Sequence, residues 1–255
     1  MCGRYVLRTD PSQLAGQLGI TQPEMFEQAA ENFEPNYNVA PTEQVIAAIE
    51  RRPRDAEPGA EAVRKLKEVR WGLIPSWAKD RKIGQKMFNA RIESVTEKAS
   101  FKRAFMKRRC LVPADGYYEW YKPAGPKPAK QPFFIHDPSG DAIAFAGLYE
   151  LWRDPEVEDK DDPNAWVWSV TILTTESVGG LHHIHDRMPV VVPREAYDKW
   201  LDPDFGSGEG EADELLALLD VGRDLRLETF PVSTAVNSVK NNGPQLVEPI
   251  EPEEG

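Results

Sequence analysis

The stretch Asp115-Gly116-Tyr117-Tyr118-Glu119-Trp120-Tyr121 is the clearest strand in the sequence, and the rest of the fold is predicted around it. Its odd-numbered side chains from Tyr117 point to one face and its even-numbered ones to the other, because successive residues of a strand alternate. Similar runs surround it, bounded by turn residues: Cys110 to Val112, Phe133 to His136, Ala142 to Trp152 and Val167 to Thr175. Together they predict an α+β fold with a mostly antiparallel, curved or barrel-like β-sheet core and several short flanking helices.

The remaining segments supply the helices and the outer strands. Asp10 followed by Pro11 is typical of a helix start. Further helices are predicted after Ser100 through Met106, at Pro193 to Leu201 and at Ala212 to Leu219, and further strands at Cys2 to Leu7, Gln44 to Ile49, Lys67 to Trp71 and Leu225 to Val232. Two polar stretches, Asn36 to Thr42 and Phe88 to Ser94, are predicted as loops.

The chain of 255 residues is predicted to form one domain, residues 2–248. Residues 51–63 and 154–164 look like exposed insertions, and residues 249–255 like an acidic, disordered tail. We find no apolar run long enough to span a membrane and no signal peptide, so we expect a cytoplasmic, nucleoid-associated monomer. Two cysteines exclude a disulfide framework, and Cys110 is expected to be a buried structural thiol.

The formal charge of −11 is unevenly distributed along the chain. Residues 64–109 hold fifteen lysines and arginines against four acidic residues, a local charge of +11, so the rest of the chain carries −22. A local basic surface on an acidic protein can bind phosphates. The alternative is a solvated charged face, and charge alone does not choose between the two.

The first five residues, Met1-Cys2-Gly3-Arg4-Tyr5, carry a possible reaction centre. Removal of Met1 would leave Cys2 with an α-amine and a thiol on adjacent carbons. Such a pair condenses with an aldehyde, since the amine forms an imine and the thiol then closes a thiazolidine ring intramolecularly. An α-amine has a reference pKa of roughly 7.7 to 8.0, so part of it is neutral near pH 7.5. The alternative is an ordinary cysteine near the terminus.

Two further groups are suited to proton transfer. Glu119 lies in an aromatic, strand-like setting that perturbs a carboxyl pKa, although it could be a solvent-facing residue of an edge strand. Residues 181–189 contain three of the four histidines, and a histidine there could act as a general acid or base or simply cap a helix. One local histidine cluster with a distant His136 and no cysteine pair is a poor zinc pattern, so we predict no metal and no cofactor.

Several residues could bind unpaired bases and phosphates, although each has a structural alternative. Phe88-Asn89-Ala90-Arg91 places an amide beside a cation. The candidate stacking surfaces are Trp71, Trp77 and Trp120, and the candidate phosphate ligands are Arg4, Arg91 and Arg187. The sequence has no GxSxG, no glycine-rich phosphate loop and no CxxC, which removes support for serine hydrolase, kinase and polymerase activities.

Eight ordered motifs resemble the SOS-response-associated peptidase family: MCGRY, YNVAPT, RWGLIPSW, FNAR, DGYYEW, AGLYELW, HDRMPVVV and VNSVKNNGP. The resemblance runs from Cys2 to about Pro249. It implies a protein that recognises abasic sites in single-stranded DNA and bonds to them through an N-terminal cysteine. The chain departs from the compact family pattern at the two insertions and at the tail.

The resemblance assigns roles to individual residues. Cys2 would form the thiazolidine, Asn89 would position it, Glu119 would act near the imine and His185 would assist sugar-ring opening, whereas His182 and His183 fall outside the match. The expected DNA contacts are Arg4, Trp71, Arg91, Thr174 and Arg187. A lyase reaction through the imine is a further expectation. The alternatives are a thiol peptidase using Cys2, His185 and Asn89, and a non-covalent reader of damaged or modified single-stranded DNA.

Overall fold

A computed structural model describes residues 2–31, 33–53, 57, 60–125, 129–159, 161–162, 165–206, 208–220 and 226–250. Its strands are β1 (Tyr5–Leu7), β2 (Asn36–Val39), β3 (Gln44–Arg51), β4 (Val63–Trp71), β5 (Asn89–Arg91), β6 (Arg109–Ala114), β7 (Gly116–Tyr121), β8 (Gln131–His136), β9 (Ile143–Arg153), β10 (Trp166–Glu176), β11 (Arg187–Pro189) and β12 (Glu228–Pro231).

Short helices flank the strands. The α-helices are α1 (Pro11–Gln17), α2 (Glu27–Ala30), α3 (Lys102–Lys107), α4 (Tyr197–Leu201) and α5 (Glu211–Asp220). Single 3-10 turns occupy Pro23–Met25, Arg81–Lys86, Ile92–Ser94, Gly179–His183, Arg194–Ala196, Thr234–Asn237 and Pro244–Val247. Helix α1 starts where the sequence predicted, because the Asp10 carboxylate accepts a 2.8 Å hydrogen bond from the Ser12 amide and Pro11 occupies the first turn.

Five strands close into a barrel. β3 pairs with β4 and β6, β6 with β9, and β9 with β10, all antiparallel, and a parallel pairing between β10 and β4 closes the ring. The interior is tightly packed at Gly147, where an added Cβ would lie 2.7 Å from the Cys110 Sγ atom. Cys110 is therefore the buried structural thiol that the sequence predicted. Past the ring, β10 also pairs with β5 and with β11.

A second sheet has the strand order β12-β8-β7-β1-β2. It follows directly from the barrel, because β6 ends at Ala114 and β7 begins at Gly116. Only glycine fits this corner, since an added Cβ would lie 2.4 Å from the Phe134 ring and 2.7 Å from the Ile135 carbonyl. The alternation predicted for β7 is confirmed: Tyr117 and Glu119 are buried on one face, whereas Tyr118 and Trp120 belong to a separate cluster on the other.

The predicted fold class is confirmed, and some local predictions are wrong. Asn36–Val39 and Asn89–Arg91 are strands rather than loops, because each pairs with a neighbouring strand, β1 and β10 respectively. Tertiary pairing gives such short segments their structure, and their own composition does not encode it. Ser100 does not cap α3, whose N-cap position is Phe101 and has no capping side chain.

The two insertions join paired strands, and parts of both lie outside the described residues. Residues 52–62 connect β3 to β4, and residues 154–165 connect β9 to β10. Asp154 is buried, so the second insertion is not exposed throughout. Pro249 bridges to Val232, and the Ile250 amide donates to Pro231, so the fold extends to residue 250; residues 251–255 of the predicted tail are outside the description. No helix in the described part of the chain is long and apolar enough to cross a membrane.

Candidate functional site

The N-terminal segment is fixed in the second sheet. Tyr5 of β1 lies opposite Val39 of β2 and Tyr117 of β7. The Asp115 carboxylate accepts hydrogen bonds from the Arg8 amide (2.6 Å) and the Thr9 amide (3.0 Å), which holds the far end of β1. Cys2 lies three residues before the start of this anchored strand and is fully buried.

Asn89 contacts Cys2 directly. Its side-chain Nδ2 donates a 2.6 Å hydrogen bond to the Cys2 carbonyl oxygen. Asn89 is held at this place because β5 runs parallel to β10, with Asn89 opposite Ile172, and because the Trp71 indole N–H donates to the Phe88 carbonyl at 2.9 Å. A side-chain amide from a strand paired with the barrel therefore holds the segment that leads into β1 of the second sheet.

Glu119 lies beside Cys2 on the buried face of β7. Burial raises the pKa of Glu119 to about 7, and the charge of the nearby Asp186 raises it further. The reciprocal effect appears at Cys2, whose thiol pKa is raised chiefly by burial and then by the charge of Glu119. A carboxyl group with a pKa near neutrality can both give and take a proton at physiological pH.

His185 is close to the same carboxyl group through its neighbour Asp186. The Arg187 amide donates to His185 Nδ1 at 3.0 Å, and the Asp186 Oδ1 atom lies 2.9 Å from the same nitrogen. In one protonation state, Nδ1 cannot both accept a hydrogen bond from the Arg187 amide and donate one to the Asp186 carboxylate. Because burial lowers the pKa of His185, we assign the neutral ring, in which Nδ1 accepts from Arg187 and Nε2 carries the proton.

The structure thus brings Asn89, Cys2 and Glu119 together and places Asp186, the neighbour of His185, within electrostatic reach of Glu119. Asn89 bonds Cys2, Glu119 acts electrostatically on Cys2, and the loop of His185 and Asp186 acts on Glu119. The arrangement combines a buried neutral thiol, a carboxyl group with a pKa of about 7 and a neutral imidazole. It is suited to successive proton transfers rather than to a resting thiolate nucleophile.

Two tyrosines at the site were missed in the sequence. Tyr5 and Tyr117 are fully buried, and within the described chain neither hydroxyl has a hydrogen-bond partner. Burial raises the pKa of the Tyr117 phenol, and the charges of Cys2 and Glu119 raise it further, so this hydroxyl faces the reactive residues. The alternation of β7 already places Tyr117 on the face of Glu119, and that was the available clue.

Among the predicted phosphate ligands, Arg91 is the one the structure leaves accessible. It is exposed at the end of β5, two residues from Asn89, and no carboxylate of the described residues forms an ion pair with it. Arg187 is different, because its guanidinium is buried and binds both carboxylate oxygens of Glu93, at 2.7 and 2.9 Å. In this structure the Arg187 guanidinium forms an ion pair, and its contact with a phosphate stays a prediction.

Three other predicted DNA contacts also have structural positions. Arg4 is half-buried, and its Nη1 donates to Asn38 Oδ1 (2.7 Å) and to the Val236 carbonyl (2.8 Å). Trp71 is fully buried and presents no face to a base, and Thr174 is buried between β5 and β11. In this structure these side chains fill the core or bind backbone groups, and their contacts with DNA stay predictions.

The two remaining tryptophans differ in exposure. Trp77 is 61% exposed in the loop after β4 and presents a large apolar surface to solvent. Trp120 is partly buried, and its indole N–H donates to Asn237 Oδ1 at 2.7 Å. Within the described ranges, no group of three or more histidine, cysteine or acidic side chains is arranged to hold a metal ion.

Comparison with known proteins gives relatives over nearly the whole chain. Residues 1–239 match the family model described as SOS response associated peptidase (SRAP). The chain is 40% identical over 248 residues to the abasic site processing protein YoqW of Bacillus subtilis, covering 97% of this chain and 99% of that protein. It is 30% identical over 281 residues to the abasic site processing protein HMCES of Xenopus tropicalis, covering 98% and 78% of the two proteins.

Solved structures share the fold. A Bacteroides thetaiotaomicron protein superimposes with a TM-score of 0.76 at 23% identity, covering 98% of this chain and all of that one. A phage-related protein from Bordetella bronchiseptica has a TM-score of 0.64 at 28% identity, covering 91% and 94%. With the family model and the full-length relatives, the conclusion is that this chain belongs to the SOS response associated peptidase family.

Proposed function

We propose that this protein recognises abasic sites in single-stranded DNA and bonds to them covalently through Cys2 after Met1 is removed. The observation that carries the proposal is the position of Cys2, held by Asn89 and flanked by a buried carboxyl group whose pKa is about 7. Relatives that match this chain over most of its length bear the name abasic site processing protein, which supports the same substrate.

The first step is opening of the abasic sugar. An abasic deoxyribose is mostly a closed hemiacetal, and a proton must move between its anomeric hydroxyl and its ring oxygen before the aldehyde is exposed. His185 is suited to this transfer, because its neutral ring carries a proton on Nε2. Its Nδ1 is oriented by the Arg187 amide, which fixes the plane of the imidazole.

The second step is attack of the Cys2 amine on the aldehyde carbon. The carbinolamine formed must lose water to become an imine, and the leaving hydroxyl needs a proton. Glu119 supplies it, since a carboxyl group with a pKa of about 7 is partly protonated at neutral pH. Asn89 leaves the amine and the thiol unconstrained, because it bonds only the carbonyl of Cys2.

The third step closes the ring. The Cys2 sulfur attacks the imine carbon, the thiol proton moves to the imine nitrogen, and the product is a thiazolidine. Overall, aldehyde and aminothiol combine with loss of one water. Burial raises the pKa of the Cys2 thiol, so sulfur stays protonated until the imine is beside it, and the ring closure is intramolecular.

A lyase side reaction can use the same intermediate. An imine acidifies the adjacent carbon of the opened sugar, and removal of that proton expels the 3′ phosphate by β-elimination. Glu119 in its ionised form is a base whose charge acts on Cys2, and it can remove that proton. Thiazolidine formation competes with this elimination, because the ring closure consumes the imine.

Recognition of single-stranded DNA is assigned to exposed groups around this centre. Arg91 offers a cation two residues from Asn89, and Trp77 offers an exposed indole for base stacking. These contacts read the backbone and the aromatic faces of the bases, so we expect little sequence preference.

A thiol peptidase is the competing activity, and the electrostatics disfavour it. A peptidase cysteine reacts as a thiolate, which requires a lowered pKa and a histidine paired to the sulfur. Here burial and the charge of Glu119 both raise the pKa of Cys2. The Asn89 side chain contacts the Cys2 carbonyl and, within the described residues, forms no hydrogen bond to a histidine.

The proposal is tested with a Cys2→Ser variant and a single-stranded oligonucleotide that contains one abasic site. The wild-type protein should give a slow-migrating adduct on a denaturing gel, without any reductant, and the variant should not, because an oxazolidine is much less stable. Equal recovery of the adduct from both proteins would exclude the thiazolidine. Loss of peptide hydrolysis with unchanged DNA capture would favour the peptidase.

A further inference from the structure

Several residues near one end of the barrel point into its interior, as the pairing register of the strands shows. Ile49 of β3 lies opposite Cys110, which lines the packed interior beside Gly147. Residues opposite one another in antiparallel strands share a face, and every second residue of a strand returns to it. Lys65 lies opposite Ile49, so Lys65 also points into the barrel.

The same reasoning places two further cations and a tryptophan at this end of the barrel. Arg51 and Lys67 are each two residues from an inward-facing neighbour on β3 and β4. Trp168 is four residues before Ile172, whose partner across β9 is Gly147. We call this set, Arg51, Lys65, Lys67 and Trp168, the cationic mouth.

The side chains of the cationic mouth contact one another. The Lys67 ammonium lies 4.7 Å and the Arg51 guanidinium 5.4 Å from the centre of the Trp168 ring, and Tyr149 stacks on that ring at 5.6 Å. Burial lowers the pKa of Lys67, and the charges of Lys65 and Arg51 lower it further. The three cations therefore repel one another across a partly desolvated space.

No carboxylate of the described residues neutralises these three cations. None of the three cations forms an ion pair with an acidic residue of the described chain, whereas the nearby Arg64 is paired with Glu50 and Arg108 with Glu150. Glu68 follows Lys67 but alternates to the opposite face of β4. Arg51, Lys65 and Trp168 of the cationic mouth line a depression of about 340 Å³, which Met25, Pro53 and Val63 complete; Lys67 is not part of this lining. This volume can hold a small anion with its hydration.

The cationic mouth is remote from Cys2. Trp168 and Ile172, the partner of Asn89, are four residues apart on β10, which is about 13 Å along a strand. Lys65 lies six residues before Trp71 on β4, which is about 20 Å by the same rise. The two sites therefore lie towards opposite ends of the barrel.

We propose that the cationic mouth binds phosphate groups and forms an anion site separate from Cys2. Three cations of one sign in a partly enclosed space concentrate anions, and phosphate accepts from both lysine and arginine. The indole serves as a platform for the cations rather than for a base, because Tyr149 and the two cations already contact its ring. The phosphate comes either from a free polyphosphate or from a distant part of a bound DNA strand.

Lysine acylation of the wild-type protein tests the site without any mutation. The protein is treated with an amine-acetylating reagent, with and without inorganic pyrophosphate, and each lysine is quantified by peptide mass spectrometry. Pyrophosphate should protect Lys65 and Lys67 and leave the exposed Lys98 unchanged. Equal labelling of Lys65 and Lys67 in the two samples, or equal protection of all three lysines, would overturn the proposal.

A double variant, Lys65→Gln with Lys67→Gln, distinguishes the two sources, with Lys98→Gln as the matched control. Pyrophosphate should raise the melting temperature of the wild type and the control but not of the double variant. The second part of the experiment measures the affinity of each protein for single strands that are extended stepwise on either side of one abasic site. If the bound strand fills the cationic mouth, affinity grows with length only where Lys65 and Lys67 are intact. If free phosphate is the ligand, all three proteins share one length dependence. Failure of both parts would refute the site, and neither part depends on reaction at Cys2.

Discussion

The side-chain amide of Asn89 donates a 2.6 Å hydrogen bond to the backbone carbonyl of Cys2. The bond holds Cys2 by an atom that takes no part in thiazolidine formation. The other end of the same amide, Asn89 Oδ1, is buried without a hydrogen-bond partner among the described residues. A buried acceptor costs free energy when it is unsatisfied, so this oxygen is available to a substrate hydroxyl.

Replacing Asn89 by Ala should slow the formation of the DNA adduct, because Cys2 would lose its positioning bond. Misplacement of a reacting group by about 1 Å can cost about a hundredfold in rate, and we expect a loss of up to that size. The measurement is a single-turnover time course with abasic single-stranded DNA. Asn242→Ala, which removes hydrogen bonds to Tyr37 and Pro35 elsewhere, is the control and should react as the wild type does. An unchanged rate in Asn89→Ala would remove Asn89 from the mechanism.

Glu119 should make the free energy of unfolding depend on pH. Its pKa is about 7 in the folded protein. In the unfolded chain a glutamate has a pKa of about 4.3. Between these two pKa values the folded state binds a proton that the unfolded state does not. The contribution of Glu119 to the free energy of unfolding is therefore fully present below about pH 4 and is lost as the pH rises through about 7. The loss should be about 3 kcal/mol.

Urea unfolding of wild type and Glu119→Gln at pH 5 and pH 8 measures this contribution. The variant should gain stability relative to the wild type on going from pH 5 to pH 8, by roughly the same 3 kcal/mol. Glu24→Gln, at an exposed glutamate, should show no such change. A constant difference between wild type and Glu119→Gln at the two pH values would show that the carboxyl group is not perturbed.

Replacement of His185 by Gln should slow the reaction at the sugar-opening step alone. General acid–base catalysis contributes about a hundredfold to ten-thousandfold, so the loss should fall in that range. An oligonucleotide that carries a simple alkyl aldehyde needs no ring opening, and with it the variant should react at the wild-type rate. If the variant is equally slow with both substrates, His185 acts on a later step.

Variants of Arg91 and Arg187 can be compared to distinguish a contact with DNA from a contribution to stability. Arg91→Gln should weaken DNA binding and reduce the salt dependence of the affinity by about one phosphate contact, with little change in stability. Arg187→Gln should remove the ion pair with the half-exposed Glu93 and the hydrogen bond to the Thr174 carbonyl, and lower the free energy of unfolding by about 1 kcal/mol. Filter binding at several salt concentrations and urea unfolding provide the two measurements. Weaker DNA binding by Arg187→Gln, with an unchanged free energy of unfolding, would show that Arg187 is a phosphate ligand.

The strand core could be predicted from the sequence for physical reasons that act locally, whereas the roles of the candidate reactive residues came from the family resemblance. The alternation in β7 depends only on strand geometry, so Tyr117 and Glu119 were correctly placed on one buried face. Asp10 and Pro11 start α1 through contacts within three residues. The family motifs led to Cys2, Asn89, Glu119 and His185. The fold brings Asn89, Cys2 and Glu119 together and places Asp186, the neighbour of His185, within electrostatic reach of Glu119.

Other features depend on contacts between distant residues. Arg187 resembled a phosphate ligand until Glu93, 94 residues away in the chain, proved to bind both of its terminal nitrogens. Trp71 resembled a stacking surface, but barrel closure buries it. The cationic mouth combines β3, β4 and β10, and the parallel pairing of β4 with β10 has no local signature. Such sites become visible only when the register of the whole barrel is known.

The central claim is that Cys2 forms a covalent thiazolidine with an abasic site. The most direct test is the intact mass of the purified protein after mixing with a single-stranded oligonucleotide that contains one abasic site, without any reductant. The account predicts a heat-stable species whose mass is the sum of the oligonucleotide and a protein lacking Met1, minus one water, and predicts its absence for Cys2→Ser. Separate, unchanged masses for a protein that has lost Met1 would contradict it.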